Sequence, residues 1–128
     1  MSYILGIDYG IKYIGIALSD KNGIYAKPYS IKRNNDLFIP FFNDLLSEYS
    51  IDKIVVGNPL SKDGYDSNFS LEVKKFIKTL DVRKEYILWN ETLSSDQAKV
   101  HLSKKRKRID DIAASIILQE YLDYENRL

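Results

Sequence analysis

YILGIDYGIKYIGIALSD, residues 3–20, decides the fold class. Its first six residues, Tyr3 to Asp8, carry Ile4, Leu5 and Ile7 in a near-continuous apolar run, which predicts a buried strand. Tyr9-Gly10 opens a turn, and Ile14 to Leu18 is a second β-rich run closed by Ser19, Asp20, Asn22 and Gly23. The connection is too short for a crossover, so the two strands form an antiparallel hairpin.

Working outward, Tyr25 to Ile31 reads as a third strand, and Pro28 within it argues for a sheet edge. Asn35 and Asp36 offer an N-cap for a helix carrying Leu37, Phe41, Leu45, Leu46 and Tyr49, with Pro40 in or near its first turn. Lys53 to Gly57 is a short apolar strand, followed by the polar stretch Asn58 to Asn68. Phe69, Val73, Phe76, Ile77 and Leu80 then recur at helical spacing. Tyr86 to Trp89 is another strand, and Ser94 with Gln97 forms a capping-box pattern for a helix to about Leu102. Ile109 to Tyr124 is the last helix. The order β-β-β-α-β-α-β-α-α predicts an α/β fold. Three antiparallel strands followed by βαβ crossovers make a mixed five-stranded sheet flanked by helices.

Composition narrows the function classes. The 128 residues suit one domain, 1–128, with a real core. The absence of cysteine removes thiol catalysis, Cys-ligated zinc and iron–sulfur clusters. No apolar run reaches the roughly 18 residues a membrane span needs. Nor does a basic, signal-like segment open the chain. A cytoplasmic protein without membrane association is expected. Nineteen Lys and Arg nearly balance 18 Asp and Glu, but Lys104, Lys105, Arg106, Lys107 and Arg108 are consecutive. Taking those five away leaves 14 basic residues against 18 acidic ones. Positive charge is therefore concentrated where it can meet a phosphate backbone.

Chemistry in such a sheet sits at the carboxyl ends of the parallel strands. Asp8 ends the first strand, and Glu91 stands just beyond the strand ending at Trp89. At 100° per residue, Ile109, Ile112, Ala113, Ile116 and Ile117 form one apolar face of the last helix. Asp110 lies on the margin of that face and Asp111 points away from it, so Asp110 is the better ligand candidate. Singly, an Asp before a turn or at a helix start is ordinary turn or cap chemistry. Three converging carboxylates without Cys or His suit a hard cation, Mg²⁺ or Mn²⁺, in a two-metal site for phosphodiester hydrolysis.

The basic run adjoins Asp110, where it would grip phosphates; Lys99 and His101 would extend that surface. Lys12 in the hairpin turn is a second phosphate candidate. The loop after Gly57-Asn58-Pro59-Leu60 offers Ser61, Lys62 and Asp63 as polar contacts. The bland alternatives are a solvated basic loop and a plain connection.

Four ordered blocks, ILGIDYGIKYIGIALSD (4–20), IVVGNPLSKDG (54–64), WNETLSSDQA (89–98) and IDDIAASIILQEYLD (109–123), resemble the YqgF/RuvX family. These are Holliday-junction-resolvase-like nucleases of ribonuclease H-like fold. The resemblance implies a metal-dependent nuclease acting on the 5′ end of the small-subunit (16S) ribosomal RNA precursor or on branched DNA. It also puts Asp8, Glu91 and Asp110 on the family's acidic metal-binding positions. Asn90-Glu91-Thr92 stands where the family usually reads Asp-Glu-Arg, Asn58 replaces an apolar residue, and Lys12-Tyr13 replaces a Lys-Arg pair.

Expected partners are structured RNA or branched DNA and ribosomal particles, with the protein a monomer or homodimer. The alternative is a catalytically weak or inactive nucleic-acid-binding module of the same fold, acting in ribosome assembly or transcription. An Asp followed by a Gly-containing turn also occurs in sugar kinases, actin and chaperone ATPases. Those need two such domains to enclose a nucleotide, more than 128 residues allow.

Overall fold

Three antiparallel strands open the chain: β1 (Tyr3–Asp8), β2 (Tyr13–Ser19) and β3 (Ala26–Arg33). Helix α1 (Phe38–Glu48) leads to β4 (Ile51–Pro59), α2 (Asn68–Lys78) to β5 (Glu85–Glu91), and α3 (Asp110–Asn126) closes the fold. The sheet order is β3-β2-β1-β4-β5, with β4 parallel to both β1 and β5. This is the mixed five-stranded sheet expected from the sequence. The computed structural model describes residues 2–59, 68–80, 83–91 and 108–127, apart from the side chains of Pro59, Asn68 and Glu91. The expected helix from Ser94 to Leu102, Ser61, Lys62, Asp63 and Lys104 to Lys107 lie outside the described residues.

Pro28 sits on the edge strand as expected. The register between β2 and β3 shifts there, pairing Ile16 with Ser30 but Ala17 with Pro28. The missing N–H of Pro28 is therefore accommodated at a bulge. Pro40 occupies the first turn of α1, where no intrahelical partner for an N–H exists. The Asn35 side chain accepts from the Leu37 amide at 3.0 Å and leads the chain into that helix. Leu37 itself, expected on the apolar face, is 74% exposed; Leu45 is buried as expected, together with Phe38 and Phe42.

Strand alternation makes the two faces of the sheet unlike. One face presents Leu5, Ile7, Ile14, Ile16, Leu18, Ile54 and Val56 to Phe38, Phe42 and Leu45 of α1 and to Val73 and Phe76 of α2. The other face carries Gly6, Gly15, Ala17 and Val55, and α3 covers it with Ala114, Ile117, Leu118, Tyr121 and Leu122. Burial of Ile117, Leu118 and Leu122 contributes roughly 1.5–3 kcal/mol each.

The small residues let α3 settle directly on the backbone of β1 and β2. A Cβ on Gly6 would lie 2.8 Å from the Leu118 Cβ and 3.1 Å from the Ala114 carbonyl oxygen. One on Gly15 would overlap the carbonyl group of Asp110 and approach the Asp111 amide nitrogen to 2.8 Å.

This contact corrects the expected orientation of α3. Ala113, Ala114, Ile117, Leu118, Tyr121 and Leu122 are buried, whereas Ile112 and Ile116 are only half-buried. The packed face is rotated by roughly a third of a turn from the one that the isoleucines suggest. Asp111, expected in water, is 7% exposed. Asp110 falls close to the middle of the packed face rather than on its margin. A floor of glycine and alanine selects the side of the helix with Ala114, and the bulky isoleucines are left at the flank.

Gly15→Ala should destabilise the protein by about 1–3 kcal/mol or more, because the obstructing atoms are backbone. Urea unfolding measures this. A loss below about 0.5 kcal/mol would show that α3 does not rest on Gly15.

Candidate active site

Asp8 ends β1 half-buried, on the same face as Gly6 and therefore on the α3 side of the sheet. Its register partner on β2 is Gly15, the residue against which the Asp110 backbone rests. Asp8 and the backbone of Asp110, far apart in sequence, thus both adjoin one glycine. Glu91 is the last residue of β5 and pairs with Pro59. It falls two positions beyond Trp89, which packs in the α3 core. The sheet edge that carries Asp8 therefore also carries position 91.

The Asp110 side chain is 18% exposed and accepts a 2.7 Å hydrogen bond from Arg108 Nε. That bond pushes the Arg108 pKa above its ordinary value. The guanidinium of Arg108 also stacks 3.8 Å from the centroid of the Tyr13 ring. Arg33, paired with Tyr13 across β2 and β3, lies 5.6 Å from the same centroid. Asp111 Oδ1 accepts from the Ile112 amide at 2.9 Å.

Among the described residues, no cluster of three His, Cys, Asp or Glu side chains assembles. The described donors at this edge are the carboxylates of Asp8 and Asp110. Oxygen-only donors of this kind fit a hard divalent cation, not a soft one.

Lys12 is exposed in the β1–β2 turn, as expected of a phosphate contact. Asn34 braces that turn: its amide N–H donates to the Lys12 carbonyl and its Nδ2 to the Gly10 carbonyl, both at 2.9 Å. Of the basic run, the described residue is Arg108. Sequence reasoning missed Tyr13, Arg33 and Asn34 as site residues. The one available signal was the predicted hairpin, since pairing β2 with β3 sets the end of one against the start of the other.

The departures at Asn58 and Asn90 belong together. They are register partners on β4 and β5, and Asn58 Nδ2 donates to Asn90 Oδ1 at 2.9 Å. Ser70 Oγ of α2 donates to Asn58 Oδ1 at 2.9 Å. A 5% exposed amide is thereby satisfied on both sides. The pair ties the ends of β4 and β5 together, immediately before Glu91.

Known proteins agree with this architecture. The fowlpox virus resolvase, solved in complex with substrate Holliday junction DNA, superposes with a TM-score of 0.55 at 22% identity, covering 96% of this chain and 98% of that one. T. thermophilus RuvC in complex with a Holliday junction substrate gives 0.54 at 11% identity, covering 98% and 96%. At such identities the likeness establishes the fold, a RuvC-type, ribonuclease H-like resolvase fold. Two curated relatives are named "Putative pre-16S rRNA nuclease". The one from Sulfurihydrogenibium sp. is 37% identical, covering 96% of this chain and 91% of the relative. The one from Bacillus subtilis is 36% identical, covering 96% and 99%. Residues 2–124 match the family model RuvX, described as Holliday junction resolvase. Matched over nearly its whole length, the chain belongs to the RuvX family.

Proposed function

We propose that the chain is a divalent-metal-dependent nuclease that hydrolyses phosphodiester bonds in the 16S ribosomal RNA precursor, at its 5′ end. The observation that carries the reading is the seat of Asp110 on Gly15, the register partner of Asp8. It sets the backbone of Asp110 beside the strand end that carries Asp8, where this fold class places its chemistry, and so supports a site shared by the two. The substrate follows from the names of the curated relatives, pre-16S rRNA nucleases, which match this chain along nearly all its length. Branched DNA is the second substrate class, suggested by the resolvases of like fold.

Asp8, Glu91 and Asp110 would hold Mg²⁺ or Mn²⁺ through oxygen ligands. A cation there supplies Lewis-acid activation of water and neutralises charge on the scissile phosphate. The remaining work falls to the chain's cations. Arg108, fixed beside Asp110, and exposed Lys12 orient the backbone phosphates of the substrate. Lys62 and Lys104 to Lys107 would extend the grip along the strand. The Asn58–Asn90 pair holds the strand one residue before Glu91.

That same pair favours a second reading, a binding module without catalysis, because position 90 offers an amide engaged with Asn58 in place of an acid. Cleavage separates the two. Asp8→Asn should reduce Mg²⁺- or Mn²⁺-dependent cleavage of a pre-16S leader RNA by more than about 100-fold while leaving its circular dichroism and RNA affinity intact. Undiminished cleavage would remove Asp8 from the site. Binding by the wild type without cleavage of RNA or a four-way junction would favour the module.

The basic run has its own test. Lys104→Glu together with Arg106→Glu should weaken RNA binding at least tenfold and flatten its salt dependence. Filter binding over a salt series reads both, and unchanged binding would exclude the run as a contact surface.

A further inference from the structure

Beside the carboxylates lies a second constellation with no part in holding a metal. Tyr13 opens β2, Arg33 closes β3, and Arg108 lies two residues before α3, so three separate parts of the chain deliver one ring and two guanidinium groups to one corner. We propose that Tyr13, Arg33 and Arg108 form a subsite for a backbone phosphate of the nucleic-acid strand, adjoining the Asp8–Asp110 pair. The proposal rests on the nuclease reading and adds to it where the strand is gripped and by which groups.

Arg108 is fixed in two directions. The Tyr13 ring sets the plane of its guanidinium, and Asp110 takes its Nε at 2.7 Å. Its side chain is nonetheless 47% exposed. A planar fork held this way loses little freedom on meeting a phosphate.

Arg33 supplies the second argument. It is exposed, lies on the same ring, and makes no ion pair among the described residues. Two cations gathered at one aromatic ring repel each other, and an anion nearby relieves that repulsion.

The space is present as well. Ile11, Lys12, Tyr13, Arg33, Asn34 and Asn35 line a shallow cleft of about 440 Å³ on the Arg33 side of this corner, Arg108 reaching it only through the Tyr13 ring. That is within the range of sites that take small ligands. Asn34 keeps its floor in place through its bonds to Gly10 and Lys12. A phosphodiester is the anion such a corner would meet, since the neighbouring carboxylates are those assigned to phosphodiester hydrolysis. The corner reads charge and a stacking surface, which RNA and DNA share, so the test carries both.

Fluorescence anisotropy with a labelled pre-16S leader RNA and a labelled four-way DNA junction, in EDTA, measures binding apart from cleavage. Arg33→Ala should weaken binding roughly 5–10-fold and lower the slope of log K against log salt by about one. Tyr13→Leu should weaken binding to a similar degree, and Tyr13→Phe should restore it, because the ring and not the hydroxyl holds the guanidinium. Thermal melts confirm that each variant is folded, and Arg33→Ala, at an exposed edge, stands in if Tyr13→Leu does not fold. A larger loss on RNA than on the junction assigns the subsite to an RNA strand, and the reverse to DNA. Wild-type binding with no change in affinity or slope for Arg33→Ala overturns the subsite and leaves the nuclease reading standing. No wild-type binding to either nucleic acid overturns both.

Discussion

Helix α3 lies on the sheet backbone to backbone, and the position of Asp110 follows from that contact. Gly6 and Gly15 present no side chain to the helix, so Ala114 and the carbonyl of Asp110 come down onto β1 and β2. Close packing of this kind is bistable rather than elastic: a methyl group at Gly15 has no soft neighbour to displace. The geometry at the carboxyl end of β1 is therefore set by what two residues lack. Asp8 is fixed by the hairpin, and the Asp110 backbone by its seat on Gly15, the register partner of Asp8.

Electrostatics at that end of the molecule follow from the same packing. With Asp110 near the middle of the packed face, Arg108 is drawn back across the start of β2 and onto Tyr13. The result is an alternation of carboxylate, guanidinium and aromatic ring running from the sheet interior to its open edge. Here one arginine is paired to Asp110 and still faces solvent.

The departures of this sequence from the RuvX pattern have different structural meanings. Asn58 and Asn90 look independent in the sequence, but as register partners they form one hydrogen-bonded pair that also engages Ser70. Tyr13, standing where the family has an arginine, forms the surface on which Arg108 and Arg33 lie. Cationic groups thus reach that corner from two other elements.

By itself, the sequence determined the strands, their order and the placing of Asp8 and Glu91 at the ends of β1 and β5. Those features are written in local signals: apolar runs, the short turn after Asp8, and a proline suited to an edge. Strand alternation and short connections then leave little freedom in pairing. The face that α3 turns to the sheet was decided only in three dimensions. The helix carries apolar residues around most of its circumference, so periodicity within it could not discriminate. The discrimination came from the far side of the contact, where Gly6, Gly15 and Ala17 leave room for Ala114 and a backbone carbonyl but not for Ile112 or Ile116. The burial of Asp111 and the stacking of Arg108 on Tyr13 share that cause. They depend on how two surfaces fit, and neither surface alone contains the answer.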